Sequence, residues 1–157
     1  MAILETHHLS RRYGSLVALD DLNLKVEAGE CFGFIGPNGA GKTTTIKILA
    51  TLLKPSSGEA RVCGFTVGWQ NTHIRPLIGY VPDFLGAYDD MLVREYLQFF
   101  ASCYGITGSR RTQVVDDALA LTDLGGKAEA PISGLSRGMS QRLAVARVLL
   151  HDPEVLL

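Results

Sequence analysis

The clearest periodic stretch lies near the start of the chain. Leu22, Leu24 and Val26 alternate with Asn23, Lys25 and Glu27, the two-residue period of a half-buried antiparallel strand. This predicts strands at residues 2–8 and 16–27, joined by a turn from Arg11 to Ser15. Glu27 to Glu30 turns the chain into Cys31-Phe32-Gly33-Phe34-Ile35, a short apolar run of the buried-strand type. Ile46, Leu49, Ala50 and Leu53 then recur at helical spacing, and Lys54-Pro55 closes that helix. Ser56 to Glu59 reads as a turn, Ala60 to Phe65 as a strand, and Ile78 to Pro82 as a buried strand. Leu92, Tyr96, Phe99 and Cys103 mark a helix that ends at Gly105. Val114, Ala118 and Leu121 mark a second, over 110–124, which stops at Gly125-Gly126. A third opens at Ser136, a natural N-cap, with Met139, Leu143, Ala146 and Leu150 as its buried stripe. Glu154 to Leu157 looks like the beginning of another strand.

Chemistry concentrates between the apolar run and the first helix. Gly36-Pro37-Asn38-Gly39-Ala40-Gly41-Lys42-Thr43 fits G-x-x-x-x-G-K-[ST] at every fixed position, and Thr44 and Thr45 follow. Glycines let a backbone curl so that successive N–H groups point inward and form an anion nest. Lys42 adds a point charge for the outer phosphates, Thr43 a hydroxyl for Mg²⁺, and the helix its positive end. Strand, glycine loop and helix is the setting that the motif needs, so the sequence predicts nucleotide binding. Tyr13, ahead of the loop, admits two readings: a ring packed at a strand end, or a face on which adenine stacks.

Bulk properties narrow the class. The length of 157 residues suggests one domain. A net charge of −1 gives no electrostatic footprint for nucleic acid. A mean hydropathy of +0.16 and 46% hydrophobic content fit a buried core. No apolar run approaches a membrane span and the N-terminus does not resemble a signal peptide, so the chain is expected to be soluble. Cys31, Cys63 and Cys103 have no metal-ligand spacing and read as reduced, structural cysteines of a cytosolic protein. His7 and His8 read as strand-face or surface residues.

A second motif decides between families. Leu135-Ser136-Arg137-Gly138-Met139-Ser140-Gln141 closely resembles the L-S-G-G-Q signature of ATP-binding cassette (ABC) ATPases. Leu135, Ser136 and Gly138 match it, whereas Arg137 and Met139 depart. Arg12-Tyr13-Gly14, the turn before Cys31 and the helix through Arg142 to Leu149 are similar to that family as well. The resemblance spans essentially the whole chain. It implies an α/β P-loop NTPase with an antiparallel β subdomain and a helical signature subdomain. The β subdomain and phosphate-loop core would occupy about 1–83, the helical subdomain about 84–136, and the signature helix with the next strand about 137–157.

The resemblance also assigns roles. Backbone N–H groups from Asn38 to Thr44, within the loop Gly36, Pro37, Asn38, Gly39, Ala40 and Gly41, would wrap the β-phosphate of ATP. Lys42 would reach the β- and γ-phosphates, Thr43 would hold Mg²⁺, Thr44 would touch the α-phosphate, and Tyr13 would stack on adenine. Ser136 and Gly138 would serve the nucleotide of a second cassette in a head-to-tail dimer. Asp83 stands where many ABC ATPases carry a glutamine that contacts metal and attacking water. It either coordinates Mg²⁺ through water or stands back to face a membrane partner. Phe84, Leu85 and Tyr88 either pack the subdomain or receive a coupling helix from that partner. With Arg137 and Met139, Asp83 makes the chain similar to the branch that exports drugs and polysaccharides. The partners implied are a second cassette and transmembrane permease subunits, with the protein peripheral on the inner face of the cell membrane.

The family's next strand ends in an aspartate for Mg²⁺ and a glutamate that activates water, and the sequence stops before both. The chain by itself is therefore expected to bind phosphates but hydrolyse poorly, and to expose apolar surface and a sheet edge. The alternative function is a soluble ABC ATPase that acts on nucleic acid or the ribosome. Such proteins usually carry fused paired cassettes or long inserts, and the chain shows neither. No N-K-x-D base-reading motif supports a GTPase, and a P-loop kinase leaves the signature helix unexplained.

Overall fold

The computed structural model describes residues 2–86 and 90–157. In chain order the elements are β1 (Ala2–Tyr13), β2 (Leu16–Glu27), α1 (Lys42–Leu49), β3 (Ser57–Val62), β4 (Phe65–Thr66), α2 (Asn71–Ile74), β5 (Ile78–Gly79), α3 (Val93–Cys103), α4 (Gly108–Leu121), α5 (Arg137–Leu149) and β6 (Val155–Leu156). They form two compact units: Met1–Gly79 with Glu154–Leu157, and Tyr80–Pro153. Tyr88 lies outside the described residues.

The first unit is built on an antiparallel sheet of order β2-β1-β3-β4. The β1–β2 hairpin is longer and tighter than the sequence suggests. β1 continues through Tyr13, and only Gly14-Ser15 turn the chain, with Gly14 at φ 57°. Leu22, Leu24 and Val26 do face inward, as their alternation predicts. Register slips by one residue where Arg11 pairs with Leu19 and Arg12 with Val17, so Ala18 is a bulge in β2.

β3 begins at Ser57, inside the stretch read as a turn. The turn-like signal came from Gly58, which sits within the strand at φ +78°. A Cβ there would lie 2.2 Å from the His8 carbonyl oxygen, so only glycine lets the two strands close at this bulge. Cys63 and Gly64, both at positive φ, then reverse the chain into β4. β5 is shorter than predicted and pairs in parallel with β6, Ile78 opposite Val155.

Residues 31–35 form no strand, contrary to expectation. An apolar, β-favouring run becomes a strand only when neighbours take up its N–H and C=O groups. Among the described residues no strand pairs with it, and Ile35 is 98% exposed.

The second unit is helical. Its core gathers Val93, Tyr96, Leu97 and Ala101 from α3, Val115, Ala118 and Leu119 from α4, and Leu143 and Ala146 from α5. Two predicted faces hold only in part. Phe99 and Cys103 point outward while Val93, Leu97 and Ala101 are buried. On α4 the predicted Ala118 is buried and Val114 packs against the core, but Leu121 is exposed and Val115 and Leu119 are the fully buried residues. Leu143, Ala146 and Leu150 of the α5 stripe are buried and Met139 packs against the same core, as predicted.

Candidate functional site

The phosphate-loop sequence folds as its glycines require. Gly39 and Gly41 sit at φ 85° and 84°, in the left-handed region that β-carbons disfavour. Gly41 is the N-cap residue of α1. A Cβ on it would lie 2.8 Å from the carbonyl oxygen of Ala18, the bulged residue of β2. Bulge and glycine therefore fit each other, and together they press the loop against the sheet. The buried Thr45 hydroxyl donates to the Gly41 carbonyl at 2.9 Å and ties down the first turn of the helix.

The loop opens onto a pocket of about 310 Å³ lined by Asn38, Gly39, Gly41, Lys42, Thr43 and Thr44, with Leu16, Val17 and Ala18 forming the wall from β2. Gly36, Pro37 and Ala40 do not line it. The Lys42 Nζ donates to the carbonyls of Gly36 and Pro37 at 2.6 and 2.7 Å, and the Ala40 N–H donates to Pro37 at 3.3 Å. An ammonium group has three donors, so Lys42 spans the loop and keeps one N–H for a ligand. Thr43 is exposed at the start of α1 and Thr44 is half-buried beside it. The arrangement is an anion cradle: backbone donors, one cation and two hydroxyls at a helix N-terminus.

Tyr13 stands at the hairpin end, paired with Leu16 across the ladder. It does not line the pocket but is 47% exposed. Leu16 and Val17 are exposed as well, so a partly apolar shelf adjoins the phosphate loop. Sequence reasoning missed this wall. Its signal was the apolar pair Leu16-Val17, which breaks the alternation just after the turn.

Asp83, Ser136 and Gly138 belong to the helical unit, and all three are exposed. The Ser136 side chain accepts from the Met139 N–H at 3.3 Å, so the predicted N-cap is present. A Cβ on Gly138 would meet nothing within 4 Å, so nothing among the described residues demands a glycine there. Phe84 is 87% exposed, whereas Leu85 packs against the helical core. Among the described residues no group of three His, Cys, Asp or Glu side chains could hold a metal ion.

Fold and loop together define a P-loop nucleotide-binding domain of mixed α/β architecture. The family model described as ABC transporter matches residues 19–157, and the chain belongs to that family. Among its relatives, the Nod factor export ATP-binding protein I of Burkholderia pseudomallei (strain 1710b) is 40% identical over 156 residues, which is 99% of this chain and 51% of the relative. The protein of the same name from Cupriavidus metallidurans is 38% identical over 156 residues, 99% of this chain and 52% of the relative. The chain thus spans about half the length of the curated relatives it matches. Among solved structures, cbiO1 from Clostridium perfringens, described as part of the ABC transporter complex cbiONQ, superposes with a TM-score of 0.88 at 28% identity, covering 99% of this chain and 64% of that one. An ATP-binding cassette solved as a dimer in a post-hydrolysis state with ADP and Pi gives a TM-score of 0.86 at 25% identity, covering 98% and 72%.

Proposed function

We propose that the protein carrying this chain is the ATP-binding subunit of an ABC exporter, which couples binding and hydrolysis of ATP to movement of cargo through separate membrane subunits. The observation that carries the reading is the curled loop from Gly36 to Thr44, whose cation, hydroxyls and helix N-terminus converge on one pocket. A triphosphate fits it chemically: Asn38 to Thr44 offer backbone donors, Lys42 its remaining N–H, and Thr44 a hydroxyl. Tyr13 and the Leu16-Val17 shelf offer apolar surface to the base.

Mg²⁺ suits the Thr43 hydroxyl with phosphate oxygens and water completing its shell, because a small hard cation wants oxygen ligands and, among the described residues, no carboxylate lines the pocket. Bound there, the ion would supply charge neutralisation between the outer phosphates. Asp83 is assigned to the metal and the attacking water, acting through water because its side chain is short.

The exposed N-terminus of α5, with Ser136 as cap and nothing crowding Gly138, suits the phosphates of a nucleotide on a second cassette. The dimer bound to ADP and Pi supports pairing with a second cassette, for which we propose the head-to-tail arrangement, and the cbiONQ complex supports membrane permeases as partners. Among the described residues no helix is long and apolar enough to cross a membrane, which fits a peripheral subunit held on the inner face by those permeases. The export direction is supported by the names of the relatives.

Calorimetric titration of the full chain with ATP tests the reading. Lys42→Ala removes a charge-assisted contact and is expected to raise Kd about tenfold or more. Equal affinity of the two proteins for ATP would overturn it.

A further inference from the structure

Arg11 carries a feature that the phosphate-binding reading leaves unused. On β1, Arg11 and Tyr13 are two residues apart and share a face of the strand. The Arg11 guanidinium carbon lies 4.5 Å from the centre of the Tyr13 ring. Among the described residues no other cation or ring is seated on Tyr13.

The guanidinium is itself held in place. One Nη1 donates to the Lys54 carbonyl at 2.9 Å, in the segment that follows α1. Beside it the Arg12 N–H donates to Ser56 Oγ at 3.0 Å, and the Ser56 N–H to the Ser10 carbonyl at 2.9 Å. The end of β1 is thus latched to the chain leaving α1, the helix that carries Lys42 and Thr43. The Arg11 Nε is buried and has no hydrogen-bond partner. A guanidinium free to turn would seek an acceptor for that group, since a buried donor without one is costly. Its orientation is set by the ring and the Lys54 carbonyl instead.

We propose that Arg11 is a positioning residue for the nucleotide base: it backs one face of Tyr13 and leaves the opposite face to a purine ring. This rests on the reading of Tyr13 as the base-stacking residue. A cation on one face of a phenol ring draws its π density toward that side. The open face becomes less negative, and a better surface for an electron-rich purine. The same contact fixes the ring's rotamer, so the base meets a platform already in place, and ordering it costs less on binding.

The test compares binding of ATP with that of inorganic tripolyphosphate, which has phosphates but no base, by calorimetry on the full chain. Arg11→Ala is expected to raise the Kd for ATP about three- to fivefold and to leave tripolyphosphate unchanged. Arg11→Lys, which keeps a cation for the ring, is expected to recover part of the loss. Arg11→Ala in a Tyr13→Ala background is expected to add nothing. Equal weakening of both ligands would mean a structural role and overturn the proposal. So would an unchanged ATP affinity in Arg11→Ala while Tyr13→Ala weakens it, and in that outcome the reading of Tyr13 survives. If Tyr13→Ala itself leaves ATP binding unchanged, Tyr13 is not the platform, and both the reading and the proposal fall.

Discussion

At the scale of single residues, Gly41 shows how closely the loop depends on the sheet beneath it. Gly41→Ala places a β-carbon 2.8 Å from the Ala18 carbonyl at a φ of +84°. Backbone strain of this kind costs about 1–3 kcal/mol, and the loop must move off the bulge to relieve it. The expected outcome is a lower thermal midpoint together with weakened ATP binding; a variant with the parent's midpoint and affinity would show that the loop does not lean on Ala18. Asp83 is open to a separate measurement. If it reaches the metal through water, Asp83→Gln replaces an ionised acceptor by a neutral amide that also donates. The Mg²⁺ concentration for half-maximal ATP turnover by the complete subunit is then expected to shift, and superimposable Mg²⁺ titrations would remove Asp83 from the site. The placement of Lys42 and Thr43 at the pocket and of Ser136 at the N-cap of α5 was legible because each sits at a fixed place in a pattern with a physical reason for that residue type. Ala18 and Arg11 were not. A bulge and a contact between a guanidinium and a ring depend on strand register, which alternation of polar and apolar residues does not specify.

At the scale of elements, helices existed near where the periodicity placed them, but α1 stops at Leu49, short of the predicted Leu53, and two predicted stripes hold only in part. Of the chosen stripe Leu92, Tyr96, Phe99 and Cys103, Tyr96 is buried and Leu92 half-buried, while Phe99 and Cys103 face out. Leu92 lies at the N-cap position, where its N–H donates to the Glu95 carboxylate at 3.0 Å, and the buried stripe starts one residue later at Val93. Several apolar residues in Leu97-Gln98-Phe99-Phe100 support either stripe equally, and only packing against α4 and α5 selects one. Tyr96, fixed in this core, supplies a test. Its hydroxyl accepts from Arg147 Nη1 at 3.3 Å, and the same guanidinium also donates to the Tyr80 carbonyl at 3.4 Å. Burial pushes the phenol above its ordinary value, although the nearby Arg147 charge pulls the other way. Tyr104 is raised by burial too. A phenol whose folded pKa exceeds its unfolded one gives stability that is complete below pH 10 and lost as pH rises through the folded value. The thermal midpoint is therefore expected to fall steeply above about pH 10. Tyr96→Phe should make that fall shallower, leaving the part due to Tyr104. Identical alkaline slopes in parent and variant would show that Tyr96 does not titrate on unfolding.

At the scale of the whole molecule, the two kinds of sheet explain what the sequence could and could not announce. The β1–β2 hairpin was legible because it joins strands that are neighbours in the chain, so alternation and a turn signal suffice; the pairing of β1 with the distant β3, and the turn at Cys63-Gly64 inside the stretch read as one strand over Ala60 to Phe65, were not. The start of β3 at Ser57 traces to one glycine serving a bulge where a turn was expected. Parallel pairing has the same limit, since partners come from distant segments, as Ile78 with Val155 shows. An apolar run such as Cys31 to Ile35 states that it should be buried without naming what buries it. In this chain Phe32 and Ile35 meet solvent, and Phe34 is half-buried. Burying apolar area is worth roughly 25 cal/mol per Å², so this run favours contact with any apolar surface, including that of another copy. With a net charge of only −1, long-range repulsion does little to oppose it. The 157-residue chain is therefore expected to bind a hydrophobic dye and to sediment faster as its concentration rises. Ile35→Thr keeps the branched shape and adds a hydroxyl, and it should lower both signals without changing the antiparallel sheet's circular dichroism. Concentration-independent sedimentation of the parent chain as a monodisperse species would show that the exposed run is not sticky.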